Sequence, residues 1–406
     1  MIVAMAWRNL WRQPRRTVLS SLTIAFTSAF LIFMPSMQNG SYDAMIENTL
    51  RLYDGYAEIQ RPGYHDDPEI RTSITDSQAV VTELEALPGL QAVTTRAISY
   101  ALLASEQRSF GAQIVGVEPA SEPAVSTVAS NIHEGRFLQG EASAEVVLGE
   151  TLARNLRLSV GDRVTLLGMG RDGSLAADSL TVVGVFATGI NAMDRLVAEI
   201  PLGRFQETFS MPDQVHTIVL SGASLPRFQP SLPAIRAIAE KHQLTMQDWK
   251  QLKPGLWQGI LLDISTASLI YVAMIIVVTF SLLNSLLMSV LERTREFGML
   301  IALGMRPGAI GRMVWLETVM LLLLGLSVGI ALGYGLSQYY AEVGIYFGES
   351  QELFSQFGLP GAMYPKVNAF TLLAGPGAIA VCVILAGAYP ILRIRRLEPV
   401  AAMGAV

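Results

Sequence analysis

Cysteine is almost absent from this sequence. The single one among 406 residues, Cys382, lies in an apolar run, so no disulfide can brace an exported part of the chain; it reads as a small apolar helix residue. Charge is scarce as well. Asp, Glu, Lys and Arg make up 16 % of the residues and hydrophobic ones 51 %, whereas a soluble domain carries about 25 % charge. A wholly soluble protein is excluded. No G-x-x-x-x-G-K-[ST] phosphate loop occurs, so this sequence cannot hydrolyse ATP by that device, and G-x-S-x-G, the commonest serine-hydrolase pattern, is missing too. The four histidines, His65, His133, His216 and His242, lack ligand spacing and read as solvated or core residues, with no metal site. His65-Asp66-Asp67 reads as an acidic loop. We read no catalytic site and no cofactor bound by this chain.

Four apolar windows are present, at about 17–38, 264–291, 313–340 and 368–392. Each reaches the roughly 20 residues that span a bilayer. The 28 residues of 264–291 carry no formal charge; as a helix rising about 1.5 Å per residue they exceed the roughly 30 Å hydrocarbon core. Basic residues set the topology. Arg8, Arg12, Arg15 and Arg16 precede the first window, Arg293, Arg295, Arg306 and Arg312 lie in 292–312, and Arg393, Arg395 and Arg396 follow the last, whereas 341–367 has Lys366 against Glu342, Glu349 and Glu352. The positive-inside rule places both termini and the 292–312 segment in the cytoplasm. Residues 39–263 hold 17 Lys and Arg against 27 Asp and Glu, a net of −10. They belong outside, and their acidity makes nucleic acid an unsuitable partner. The first window is long for a signal peptide and has no small-x-small cleavage site, so it reads as an uncleaved anchor.

The chain is thus expected to be an α-helical membrane protein with four transmembrane helices and a large α+β external domain of two lobes. Residues 1–16, "AMAWRNLWRQPRR" within them, form a cytoplasmic elbow or a simple basic flank, with Trp7, Leu10 and Trp11 on one face and Arg8 and Arg12 on another, and with Trp7, Arg8, Trp11 and Arg12 as interfacial anchors. Ser20, Ser21, Thr23, Thr27 and Ser28 favour close helix contact in the first span. Helical pattern continues over 41–52 and begins again after Pro254, as a stalk would. In the external domain, strand-like segments stand at 56–60, 92–105, 110–118, 145–149, 162–168, 180–189 and 216–222, and helical ones at 77–87, 149–158 and 232–242. "GRDGSLAAD" (170–178) reads as a hairpin loop, and 119–213 as a lobe inserted into a first lobe. The short segment 341–367 is an external loop and 393–406 a cytoplasmic tail.

Gly325, Gly329 and Gly333, four residues apart, let helix backbones approach, either within one subunit or between two. Gly375-Pro376-Gly377 predicts a kink or an unwound point in the last span. Glu317, about one turn into the third span, is either a functional intramembrane acid or a carboxylate reaching water; the same choice holds for Asp263 before the second. Asn284, Ser285 and Ser289 suit interhelical hydrogen bonds.

Between the second and third spans stands "ERTREFGMLIALGMRPGAIGRMVWLE". Helical spacing gives an apolar ridge, Phe297, Leu300, Ile301 and Met305, and a charged end, Glu292, Arg293, Arg295 and Glu296; Gly304 ends the helix and Pro307 begins the next. A short helix held by two spans suits docking into a groove of a soluble partner.

This stretch resembles the signature of FtsX-like ABC transporter permeases, the group containing MacB and the lipoprotein-releasing LolC/LolE subunits. Ala6–Thr17 is similar to the family's "LAWRNLWR.PRRT"-type opening, 135–186 to a MacB-like periplasmic core, and "RIRRLEPVAAM" to its arginine-rich tail. The resemblance implies four spans, an external core domain between the first two, a homodimer or heterodimer, and a separate cytoplasmic ABC ATPase dimer that carries ATP and Mg. Glu292, Arg293, Arg295, Glu296, Phe297, Gly298 and Gly304 would then belong to the helix coupling to that ATPase. An arginine usual near position 301 is missing here. Because the chain opens on the elbow, the ATPase is expected on another polypeptide. The function implied is a permease subunit in the bacterial inner membrane that transmits ATPase motion to the periplasm and moves lipoproteins or other hydrophobic cargo. The alternative is an FtsX-type transducer that regulates a cell-wall hydrolase or senses peptides. Partners implied are a second permease copy or paralogue and a periplasmic adaptor, lipoprotein or hydrolase.

Overall fold

The computed structural model describes residues 2–346 and 362–394; Arg395, Arg396, Glu349, Glu352 and most of the expected external loop and tail lie outside these. The described residues divide into two compact units, one of residues up to 43, 259–346 and 362–394, the other of 44–258.

In the first unit four helices are long and apolar enough to cross a bilayer. We refer to the elbow helix (Ile2–Leu10), the first helix (Pro14–Thr49), the second (Pro254–Glu292), the lever helix (Thr294–Ala302), the third (Pro307–Val343) and the fourth (Ala369–Ile394). Proline opens the first, second and third, where its missing N–H costs nothing. The helices outrun their apolar windows because helical pattern carries on into polar sequence; the first continues as a π-helical turn, Leu50–Asp54. Side chains buried between the helices include Ile24, Leu31, Val278, Leu282, Leu322, Ile379 and Val383. No unwound turn interrupts the fourth helix at Gly375-Pro376-Gly377. Gly375 is pressed against the first helix, where an added Cβ would lie 2.6 Å from Leu31 Cβ, and that contact supports the helical course through the proline.

The elbow departs from expectation in one respect. Trp7 and Trp11 are exposed and pack edge to face at 6.1 Å, but Leu10 turns inward with Ala6. The chain reverses after Leu10, and the Leu10 carbonyl accepts a 2.5 Å hydrogen bond from Thr17 Oγ1.

The second unit is built on one mixed ten-stranded sheet. Its strands are β1 (Ala57–Gln60), β2 (Ala92–Ala104), β3 (Ser109–Val117), β4 (Ile132–Gly135), β5 (Glu145–Gly149), β6 (Arg163–Met169), β7 (Leu175–Phe186), β8 (Val197–Pro201), β9 (Thr217–Ser221) and β10 (Thr245–Asp248). The order is β10-β1-β9-β2-β3-β8-β5-β7-β4, with β6 joining β2 to β7. The 119–213 block shares this sheet with its flanks, since β3 runs parallel to β8 and β2 antiparallel to β6. Alternate residues feed two cores: Ile114, Val146 and Leu148 face Phe205 and Phe209, whereas Val115 and Val147 face Phe186 and Val128. Both sheet faces are therefore covered, which explains near-continuous apolar strands. The loop expected over 170–178 is shorter. It closes between Gly170 and Ser174, whose N–H binds the Asp172 carboxylate at 2.9 Å, and Gly173 at φ +87° turns the chain so that β7 resumes at Leu175.

Candidate functional site

The lever begins where the second helix stops. Arg293 leaves helical geometry (φ −100°, ψ 9°) and caps a nine-residue helix, Thr294–Ala302. Gly304, at φ +92°, supplies the left-handed turn that a side chain would strain. Pro307 then starts the third helix.

The apolar ridge points inward. Phe297 is fully buried with Ala6, Val290, Ile310, Met313 and Val314, and Leu300, Ile301 and Met305 pack against the same cluster. Gly298 is buried too. The ridge covers the apolar surface left by the elbow and the start of the third helix, so that Phe297 and Gly298 are buried within the chain. What the lever presents outward is its other side: Leu303 is 85 % exposed and Met299 49 %, with Arg295, Gly304 and Arg306 also exposed.

The charged end is tied down. Arg293 donates to both Glu317 oxygens, at 3.0 and 3.3 Å, and its guanidinium lies 5.1 Å from the Phe297 ring. Asn9 Nδ2 donates to Glu317 at 2.8 Å. Glu317 is thus the meeting point of elbow, lever and third helix, paired and only 12 % exposed. Around it Arg12 grips both oxygens of Glu296 at 3.2 and 3.3 Å, Gln13 donates to Glu292 at 3.3 Å and Arg16 stands 3.9 Å from Glu292. Asn9, Arg12, Gln13, Arg16, Arg293, Glu296 and Glu317 line a cleft of about 220 Å³. Arg8 is exposed. The sequence marks Arg16 only as part of the basic flank and gives no role to Asn9 or Gln13; the signal available was the three- and four-residue spacing of Asn9, Gln13 and Arg16, hidden by the stronger tryptophan–arginine pattern.

The glycine stripe faces the first helix of the same chain. A Cβ on Gly325 would sit 2.7 Å from Ile24 Cβ, on Gly329 2.6 Å from the Ala25 carbonyl, and on Gly333 2.9 Å from Ala29 Cα. Ser20 and Ser285 approach at 3.4 Å between the first and second helices.

A second cluster of charge lies inside the external unit. Arg96 on β2, 1 % exposed, binds Glu122 through two bonds of 2.5 and 3.1 Å and lies 4.1 Å from the Tyr53 ring. Glu199 on β8 is fully buried nearby, and neither of its oxygens has a hydrogen-bond partner among the described residues. Burial, with the Glu122 charge adding to it, raises the Glu199 carboxyl to about 8; burial, then Asp54, raises Glu58 to about 7. One arginine therefore serves three acids. His216 is a core histidine: Nδ1 accepts the Ile98 N–H at 2.8 Å, which leaves Nε2 to donate to the Ile70 carbonyl at 3.0 Å. Burial pulls its pKa down to about 4. Among the described residues no group of three or more His, Cys, Asp or Glu could hold a metal ion.

Comparison with known proteins follows the same division. Residues 17–234 match the family described as MacB-like periplasmic core domain, and residues 268–399 that described as FtsX-like permease C-terminal. The lipoprotein-releasing system transmembrane protein LolC of Neisseria meningitidis serogroup B is 25 % identical over 326 residues, 78 % of this chain and 76 % of that protein. LolE of Haemophilus influenzae is 24 % identical over 395 residues, 94 % of this chain and 92 % of that one. The macrolide export ATP-binding/permease protein MacB of Rhodospirillum rubrum is 26 % identical over 420 residues, spanning 99 % of this chain but 60 % of its own length.

Proposed function

The chain belongs to the FtsX-like permease family with a MacB-like periplasmic core, and on that premise we propose that it is the membrane subunit through which a separate cytoplasmic ABC ATPase dimer, carrying ATP and Mg, drives its external domain. The cargo is a lipoprotein or another hydrophobic molecule taken from the outer leaflet of the bacterial inner membrane. A second permease copy or paralogue completes the complex.

One observation carries this reading. The lever keeps its apolar ridge inside and offers Met299, Leu303, Arg295 and Arg306 outside. Force applied to that tip cannot slide the lever over a surface, because Phe297 is buried and Arg293 is bound to Glu317. It must move the second and third helices and the elbow together. The third helix in turn is seated on the first along Gly325, Gly329 and Gly333, so the first helix follows. A closing ATPase pair would thus do mechanical work on the helices, without a pore.

The names of the relatives support the cargo class: two are lipoprotein-releasing and one exports macrolides. The test is co-expression with a candidate ABC ATPase from the same genome. The full chain should retain the ATPase through purification, and Glu292→Lys combined with Glu296→Lys should reduce both its retention and its turnover. Unchanged association and turnover would remove the assigned role.

A further inference from the structure

At the ends of the first and second helices remote from the lever, Asp263 is the centre of a short relay. Tyr42 Oη donates to its Oδ2, as does Gln38 Nε2 at 3.3 Å; Gln38 Oε1 in turn accepts from Tyr271 Oη at 2.7 Å. Every donor in this relay is neutral, and no lysine or arginine among the described residues forms an ion pair with Asp263. The neighbouring acid Asp43 differs, being matched by Lys366 at 2.8 Å. Among the described residues both hydrogen bonds to Asp263 fall on Oδ2 and none on Oδ1.

Gln38, Tyr42 and Tyr271 of the relay line a cleft of about 410 Å³ between the first, second and fourth helices, and Asp263, itself exposed, is bonded to the first two of them just outside the lining, beside Ile264. The rest of the wall is apolar apart from Asn39, Ser268 and Thr371, with Ile264, Val272 and Phe370 opening it to the side that lipid would occupy. Its floor is close-packed: Gly375 admits Leu31, which a Cβ would meet at 2.6 Å, and Pro35 removes the helical N–H that the Leu31 carbonyl would otherwise receive. A slot of this size with a few convergent polar groups has the make-up of a small-molecule site. Fixed hydrogen-bond donors orient the carboxylate, and its charge at the mouth of the slot, without an ion-pair partner among the described residues, is complementary to a cation.

We propose that this cleft binds a single-chain amphiphile whose head carries a protonated amine, the tail lying against Ile264, Val272 and Phe370 and the amine donating to Asp263. Tyr42 and Gln38 are positioning residues that hold Oδ2 and leave Oδ1 to the ligand. This deepens the proposed function by naming a cargo or ligand class, and rests on it only for the direction of transport.

The test needs no ATPase, so its failure is separable from failure of that function. The full chain is placed in phosphatidylcholine vesicles and photolabelled with diazirine-bearing hexadecylamine or, in parallel, diazirine-bearing hexadecanol; labelled peptides are mapped by mass spectrometry. The amine should label 264–275 and 370–375 in preference to the alcohol. Asp263→Asn should cut amine labelling about tenfold, to the alcohol's level, as loss of a charge-assisted contact would. Ala374→Phe, which fills the slot, should lower both. Thermal unfolding of each variant establishes that it is folded. Equal labelling by the two probes, untouched by Asp263→Asn, would show ordinary lipid contact and overturn the proposal.

Discussion

Two arginine–glutamate pairs sit under cover in this protein, one in each unit, and they are built for different work. Arg293–Glu317 has side-chain exposures of 15 and 12 %, borders a cleft and is balanced by Asn9 and Glu296. Arg96–Glu122 has exposures of 1 and 0 % and shares its arginine with Glu199 and Glu58. Water at the edge of the first pair can solvate its members if they part. The second pair has no such relief, so it acts as a fixed pin between the π-helical turn that carries Tyr53, strand β2 and the short helix Glu122–Val125. The position of a buried ion pair relative to solvent, more than its bond lengths, separates a joint from a pin.

The largest effect is expected on breaking the pin. Arg96→Met leaves Glu122 buried without its cation, and removing one partner of a buried pair costs about 3–5 kcal/mol. Thermal unfolding of the full chain, with hydrogen exchange followed on β2 and β9, reads it. The same cluster gives a pH dependence. In the folded chain Glu199 holds its proton to about 8, against 4.5 when unfolded, so the folded form binds more protons between these values. Stability contributed by Glu199 is present below about 4.5 and lost as pH rises through about 8. Glu199→Gln should flatten that slope; an unaltered slope would place its origin elsewhere.

Next comes the joint. Glu317→Gln should cost about 1.5–3 kcal/mol, the loss of a hydrogen-bonded charge, and should loosen the elbow, seen as faster exchange at the lever amides. The glycine stripe offers a sharper contrast. Gly329→Ala brings a Cβ within 2.6 Å of the Ala25 carbonyl, must displace that backbone and should cost about 1–3 kcal/mol, whereas a Cβ on Gly335 meets nothing within 4 Å and Gly335→Ala should not lower the unfolding temperature. The smallest effect belongs to the surface pair Arg12–Glu296, exposed by 61 and 40 %. Arg12→Gln should shift stability by less than about 1 kcal/mol and less still in high salt.

Much of this architecture can be read in the residues. The apolar windows, the charge asymmetry and the lever wording fix the order of helices, and β-branched runs mark most strands. What escapes the eye has physical causes. Strand β8, "VAEIP", carries a glutamate and a proline, and β4, "IHEG", has one apolar residue; each is a strand only because neighbours pair with it. An amphipathic lever has the same spacing whether its ridge faces a partner or its own chain, so Phe297 gave no sign of its burial. Asn9 gave none of its bond to Glu317, 308 residues away. The four-residue spacing of Gly325, Gly329 and Gly333 leaves the facing helix open between one subunit and two, and it is the fold that sets the first helix of the same chain against them.

The account stands on the lever tip as the place where an ATPase acts. ATP hydrolysis by the assembled complex, measured with Met299→Asp and Leu303→Asp combined, tests it most directly, since both side chains are exposed and their replacement leaves the buried ridge intact. The expected outcome is a folded permease that no longer retains or stimulates its ATPase. Full retention and stimulation in that variant would contradict it.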